Sequence, residues 1–545
     1  MNSSPFAALH TWYPAGQPIQ VRGKLPAGTQ RVLARSAFGD VGQVLVADDE
    51  VHLPGLPPGT YAIEAWTPAG ELIGEELTTV GSRPGDRPVP GFVTTYADDA
   101  VTPALAWLRA LRCTSIQFYD WMASYAEPLA TTGSYTDRLG RAHSLTAIKR
   151  LTEECRAMGA APQAYAPVYA ADPEFGRAHP DWLLYRSDGE PQRLGDLLQI
   201  TNPGSACWQS HWLSRYGGAA DALGFAGFHL DTYGYPREPL DASGRPVSMT
   251  AAYSAFTDAL RAARPGAVLS FNQVNGVPAG LELGGTPGYR YIEVWPPNSS
   301  WRHLEALLAR TSAPPGAGAG VLAIYPPVWS GDRGQALRTV LLTEAVCTTL
   351  GAGLLVYGDN GGCLRHPYYP DYQRLTADER RQVLRWHRFA LRCRDLFTEG
   401  TDTSWIDIGD ENGAVSVRWP GRDADGINTA VLPEPAGRSV YARVIRHADC
   451  IVISALDLTG SSAGSWQSPT APGDCSRLTV TVLLDEPGSW TADAAVLGRD
   501  GDRFEPVATV PRTHREGSAI EIEVPVVAGW SVLRLRRASR ARFLP

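Results

Sequence analysis

The apolar and polar positions of the chain fall into three regimes. Up to about residue 90 they alternate in short runs broken by turns: Pro18–Arg22, Gln43–Ala47, then Leu56-Pro57-Pro58-Gly59-Thr60 leading into Tyr61–Trp66. Strands at this spacing predict a small β-sandwich. Gly81–Pro90, with prolines at 84, 88 and 90, reads as a linker. From Gly91 onward, apolar runs of about seven residues alternate with helical patterns, which predicts βα units around a parallel sheet. Strands are expected to begin at Phe92, Ser115, Pro162, Phe225, Val268, Tyr289, Val321 and Leu354. Helical patterns cover Leu145–Met158, Leu337–Leu350 and Thr376–Leu396, the last opening on Thr376-Ala377-Asp378-Glu379 with the spacing of a capping box. After about Thr401 strands return at Ala414–Trp419, Val440–Ile445, Cys450–Leu456, Leu478–Leu484 and around Ile520 and Val532. The expected fold class is therefore multidomain α/β and β: a central (β/α)8 TIM barrel over 91–403, with β-sandwiches over 1–90 and 404–545.

In such a barrel the carboxyl ends of the strands face the ligand, so the residues there carry chemical meaning. On a period of two, Gly227, His229 and Asp231 share one face of the fourth strand and Phe228 and Leu230 the other, and the apolar run stops at Asp231. Asp231 is the candidate nucleophile, although a strand-end aspartate also caps turns. On the sixth strand Tyr291, Glu293 and Trp295 share a face. Aromatic neighbours raise a carboxyl pKa, which suits Glu293 to general acid/base work unless it pairs with Arg290. Two carboxylates on nearby strands are what glycoside hydrolysis needs. Other strand ends offer Tyr119, Asp120, Trp121, Tyr165, Tyr233, Asn272, Asn275, Trp295, Tyr325, Tyr357 and Asp359 as substrate contacts. His229 is expected to orient Asp231 from below.

Composition narrows the choice. A net charge of −8 with 19% charged residues and no basic block argues against nucleic acid as a partner. Sixteen Trp and 21 Tyr suit flat, hydroxyl-rich ligands such as sugars, or large cores. The eight cysteines are scattered singly, so buried thiols are expected, with no metal centre and no organic cofactor. No apolar stretch is long enough to span a membrane, and Met1–Phe6 lacks a basic segment before an apolar run. A cytoplasmic protein is expected as the sequence stands, or a secreted one if a signal was removed. Serine elbows, P-loops and dinucleotide fingerprints with the right flanks do not occur.

In order along the chain, Ser115–Trp121, Gly224–Asp231, Ser270–Gly276, Glu293–Pro296 and the Gly358-Asp359 turn followed by His366–Pro370 resemble glycoside hydrolase family 66. This is the family of endo-dextranases and cycloisomaltooligosaccharide glucanotransferases. The resemblance covers about Phe92 to Asp371 and is weaker in both flanks. It implies an immunoglobulin-like first domain, a catalytic barrel and a C-terminal β-sandwich. It also implies action on α-1,6-linked glucan with retention, Asp231 as nucleophile and Glu293 as acid/base. Three features depart from the pattern. The family's glucanotransferase branch carries an inserted module after strand seven, whereas here Tyr325–Gly334 passes almost directly into a helix. The chain is also short for the family and shows no export signal, which fits an imported oligosaccharide or a drifted specificity.

The expected reaction is double displacement across a carboxyl gap of roughly 5 to 5.5 Å; a gap of about 9 Å would favour inversion and move one role to Asp120 or Asp359. A cyclising α-1,6-glucan transglucosylase and a catalytically silent glycan-binding barrel are the alternatives. Oligomeric state is not legible.

Overall fold

The computed structural model describes residues 9–21, 25–45, 51–232, 239–278, 287–310, 320–398, 402–408, 414–418, 440–447, 450–461, 464–473, 477–484, 490–498, 503–514, 517–525 and 529–537. Tyr233 and Cys475 lie outside them. The protein is a multidomain α/β and β chain whose contacts divide it into two compact units: 1–295, 307–325 and 353–380 in the first, 296–306, 326–352 and 381–545 in the second.

The first unit contains a curled parallel sheet. Its strands are β1 (Pro90–Val93), β2 (Ser115–Phe118), β3 (Ala161–Pro167), β4 (Gly227–Asp231), β5 (Val268–Asn272), β6 (Gly288–Glu293), β7 (Gly320–Ala323) and β8 (Gly353–Leu355, resuming at Tyr357–Gly358). Each strand pairs in parallel with the next from β1 to β8. Gly358 of β8 also pairs with Phe92 of β1. Every strand starts within two residues of its sequence-based position. Where the strand is a buried aliphatic run, as in Val268–Asn272 and Gly320–Ala323, burial on both faces marks it clearly.

Helices α1 (Val101–Ala110), α2 (Leu145–Ala157), α3 (Ala206–Leu223) and α4 (Met249–Ala263) separate the early strands. Ser144, Ser205 and Ser248 cap α2, α3 and α4 by accepting from the backbone N–H three residues on. Gly224 ends α3 in the left-handed conformation at φ 79°.

Before β1, a five-stranded and a two-stranded sheet contribute to one buried cluster that includes Ile19, Val32, Leu53, Ile63 and Val80. The tract 81–90 is packed, contrary to its reading as a linker. Val89 N–H donates to Thr114 Oγ1 at 2.8 Å, and Ser82 and Arg83 N–H both donate to Asp86 Oδ2. Buried Arg112, with φ 54°, reaches back to donate to the carbonyls of Leu9 and His10.

The second unit joins α5 (Trp301–Arg310) in part, α6 (Arg333–Thr349) and most of α7 (Ala377–Cys393) to a six-stranded and a four-stranded sheet. The sheets share a core that includes Val444, Ile453, Val482, Ile522 and Leu535. Helix α6 begins four residues earlier than the pattern predicts, because Asp332 caps it by accepting from Gln335 N–H at 2.8 Å. Almost wholly buried, α6 is tied to the C-terminal part of the chain. Thr339 Oγ1 donates to Ser468 O, Arg338 to Asp457 O, and Thr349 and Ser454 share a hydroxyl contact. The predicted capping box ahead of α7 is present, with Thr376 N–H donating to Glu379 Oε2 and Glu379 N–H to Thr376 Oγ1. Among the described residues no helix is long and apolar enough to cross a membrane.

Candidate active site

The carboxyl ends of β3, β4, β5 and β6 bring four polar side chains together. Asp231 closes β4 and Glu293 closes β6, both partly exposed, with Asn272 at the end of the intervening β5. Asn272 Nδ2 donates to Asp231 Oδ1 at 2.7 Å and to Glu293 Oε2 at 2.9 Å. The outer oxygens are met by phenols: Tyr165 OH donates to Asp231 Oδ2 at 2.6 Å, and Tyr325 OH to Glu293 Oε1 at 2.5 Å. Backbone bonds fix the frame, since Glu293 N–H donates to Asn272 Oδ1 and Thr232 Oγ1 to Asn272 O. Arg290, on the opposite face of β6 from Glu293, leaves that carboxylate to its tyrosine and asparagine.

Burial, and next the charge of Glu293, push the Asp231 carboxyl up to about 7, while the bonds from Asn272 and Tyr165 work the other way.

Beneath them His229 is buried, with Nδ1 against Ser270 Oγ at 2.9 Å and its ring edge-on to Tyr291 at 4.4 Å. Burial lowers it to about 3, so this imidazole is neutral at working pH. It shapes the floor rather than moving protons.

Around the pair stands an aromatic wall. Tyr119 stacks on Tyr369 at 4.3 Å and leans on Tyr165 at 5.1 Å; Tyr369 OH shares a 2.7 Å bond with Tyr291 OH. Trp295 is 38% exposed and meets the edge of Tyr325, and its backbone N–H is held by Asn275 Oδ1 at 2.8 Å. Asp120, with φ 46°, is buried against Arg141 at 3.3 Å, and burial raises its carboxyl to about 7 despite that cation.

Three expected contacts are placed elsewhere. Trp121 is fully buried against Tyr216 and Phe225, its indole N–H donating to Tyr165 O, so it braces β3 from behind. Asp359 is fully buried and accepts from the N–H groups of Thr94 and Thr95 at 3.1 and 3.0 Å, which spends it on holding β8 to β1. Tyr357 is buried within β8. Sequence reading grouped Tyr291 with Glu293 without naming it as a contact, and gave no role to Tyr369 or Arg141. Tyr291 had a signal, the inward face it shares with Glu293. Tyr369 sits 78 residues from its partner, a pairing that periodicity does not reveal.

The sequence profile described as Glycosyl hydrolase family 66 matches residues 62–533. Two cycloisomaltooligosaccharide glucanotransferases of Niallia circulans are 25% identical over 258 residues and 24% identical over 233. These segments cover 43% and 38% of this chain but only 27% and 24% of those proteins, so the chain matches about a quarter of their length. The crystal structure of a Paenibacillus sp. cycloisomaltooligosaccharide glucanotransferase complexed with cycloisomaltoheptaose is similar at TM-score 0.76 and 16% identity, over 96% of this chain and 98% of that one. A noncanonic maltogenic alpha-amylase from Thermotoga neapolitana follows at TM-score 0.50 and 12% identity, over 81% and 97%. At such identities the likeness to solved structures is one of fold.

Proposed function

The chain belongs to glycosyl hydrolase family 66, and from that premise we propose that it cleaves α-1,6-glucosidic bonds of isomaltooligosaccharides or dextran by double displacement. The observation that carries this reading is the shared amide. With Asn272 Nδ2 at 2.7 and 2.9 Å from them, the facing oxygens of Asp231 and Glu293 are at most about 5.6 Å apart, the sum of the two distances. Retaining glycosidases hold their carboxyls about 5–5.5 Å apart, whereas inverting ones leave about 6.5–9.5 Å for a water. Neither Asp120 nor Asp359 is then needed as a partner. The curled parallel sheet is read as a closed (β/α)8 barrel between two β-sandwiches, with boundaries near 90 and 403.

In the first step Asp231 attacks C1 as the C1–O bond breaks, and Glu293 gives its proton to the leaving oxygen. In the second, water attacks C1, its proton passes to Glu293, and the ester bond to Asp231 breaks. The Glu293 charge that helps raise Asp231 vanishes when Glu293 is protonated, so the state that holds the acid's proton is also the one in which Asp231 ionises more readily.

The names of the relatives and the cyclic isomaltooligosaccharide bound by the Paenibacillus protein support the substrate class. The same names favour a second reading, cyclising transglucosylation. Against it stands the stretch of 324–332 between β7 and α6, too short for an inserted module.

The test uses an aryl α-isomaltooligoside with azide. Asp231→Ala is expected to lose at least about a thousandfold in kcat, and azide then gives the β-glycosyl azide. Glu293→Ala with azide gives the α-anomer, by interception of the intermediate from the opposite face. Near-parental activity in Asp231→Ala, or the same anomer from both variants, would overturn the assignment.

A further inference from the structure

Asn272 has more geometry around it than a spacer needs. Its Oδ1 accepts from the Glu293 backbone N–H, a group that only donates, so the amide is oriented with its NH2 toward the acids. Both Nδ2 hydrogens are then committed, one to Asp231 Oδ1 and one to Glu293 Oε2. An oxygen that accepts from a committed donor is the less favourable seat for a proton, because protonation weakens the bond it accepts. The oxygens left are Asp231 Oδ2 and Glu293 Oε1, and each meets a phenol, Tyr165 and Tyr325. A phenol differs from an amide nitrogen in one respect that matters here: it donates to a carboxylate and accepts from a carboxylic acid. Tyr325 also lies against Tyr369, their ring centroids 6.1 Å apart, and the Tyr369 hydroxyl shares a 2.7 Å bond with that of Tyr291.

We infer that Asn272 is a positioning residue that holds both carboxyls through one shared nitrogen and directs the catalytic proton toward the outer, tyrosine-facing oxygens of the acid pair. This rests on the double-displacement reading above. The surrounding groups leave the pair free to set the pH response. Burial keeps Tyr119, Tyr169, Tyr291 and Tyr369 protonated and His229 neutral. Burial also raises Asp120, beside Arg141, to about 7 and Asp359, held by Thr94 and Thr95, to about 6, and Asp120→Asn and Asp359→Asn serve as their controls.

The experiment is the pH profile of kcat/KM on one isomaltooligosaccharide for the parent, Tyr165→Phe, Tyr325→Phe and Asn272→Ala, each checked by thermal midpoint. A donor bonded to an anion lowers that acid's pKa, so its loss raises it. Tyr165→Phe is expected to move the acidic limb upward, Tyr325→Phe the alkaline limb, and Asn272→Ala both, each by about one unit. Loss of kcat in Asn272→Ala with both limbs unmoved, or movement of only one, makes the residue a spacer. Unmoved limbs in the two phenylalanine variants, which each lack a single hydroxyl, place the proton elsewhere. If those patterns fail while the two azide anomers appear, only this inference is lost. If the azide products fail, the underlying reaction scheme is lost.

Discussion

Holding Asp231 as an acid up to about pH 7 has a thermodynamic cost for the folded chain. Unfolded, its carboxyl loses the proton near 3.9, so between about pH 4 and 7 the native state carries a proton that the unfolded state has released. Raising the pH through that window therefore favours unfolding. Asp231→Asn removes the drift: its thermal midpoint should stay close to the parent's at pH 4, rise above it by a few degrees at pH 7, and gain nothing further beyond. A difference that stays constant across the window would mean that Asp231 does not titrate there. At this scale much of the site was legible, because period-two alternation alone put Asp231 and Glu293 at strand ends and grouped Tyr291 with Glu293. The destinations of Trp121 and Asp359 were not. Both follow strand residues, yet one turns behind β3 and the other toward Thr94 and Thr95, and which way a side chain turns after a strand ends depends on neighbours distant in sequence.

At the scale of elements, the pairing between β8 and β1 rests on a glycine. A methyl group on Gly358 would sit 2.2 Å from Phe92 Cε2 and 2.3 Å from its Cζ, and Phe92 is fully buried. Gly358 has φ −145°, so the obstacle is space and not backbone strain. Gly358→Ala is expected to destabilise by about 1–3 kcal/mol, as overpacked cores do. Phe92→Leu should recover part of that loss in the double variant, which denaturant unfolding of the four proteins would measure as a coupling. Equal and additive losses would separate the two positions. The strands themselves were plain in the sequence because each is a short apolar run between turn residues. The tract 81–90 misled because proline and glycine mark irregular backbone whether it is free or packed, and only the Thr114 contact tells the two apart.

For the molecule as a whole, the composition does not by itself name a ligand. Excess tryptophan and tyrosine does not separate core from ligand face: Trp121, Trp208, Trp212, Trp301, Trp466 and Trp530 are all fully buried, and Trp295 is the exposed tryptophan at the acid pair. With no room for a module between β7 and α6, linear sugars should dominate the products from a long isomaltooligosaccharide. Chromatography with mass detection distinguishes them, since each cyclic product lacks one water; mainly cyclic products would restore the transglucosylase reading. The two contact units were not visible in the sequence, because a helical pattern shows which face is apolar but not what covers it.

Helix α6 has a practical consequence for anyone splicing the coding sequence. A junction near residue 400 looks natural from the return of strands, but Thr339, Arg338 and Thr349 would be cut from the serine, aspartate and serine that hold them. A chimera that exchanges the C-terminal part must carry 296–306 and 326–352 with it, or inherit a helix whose buried surface was shaped for another protein.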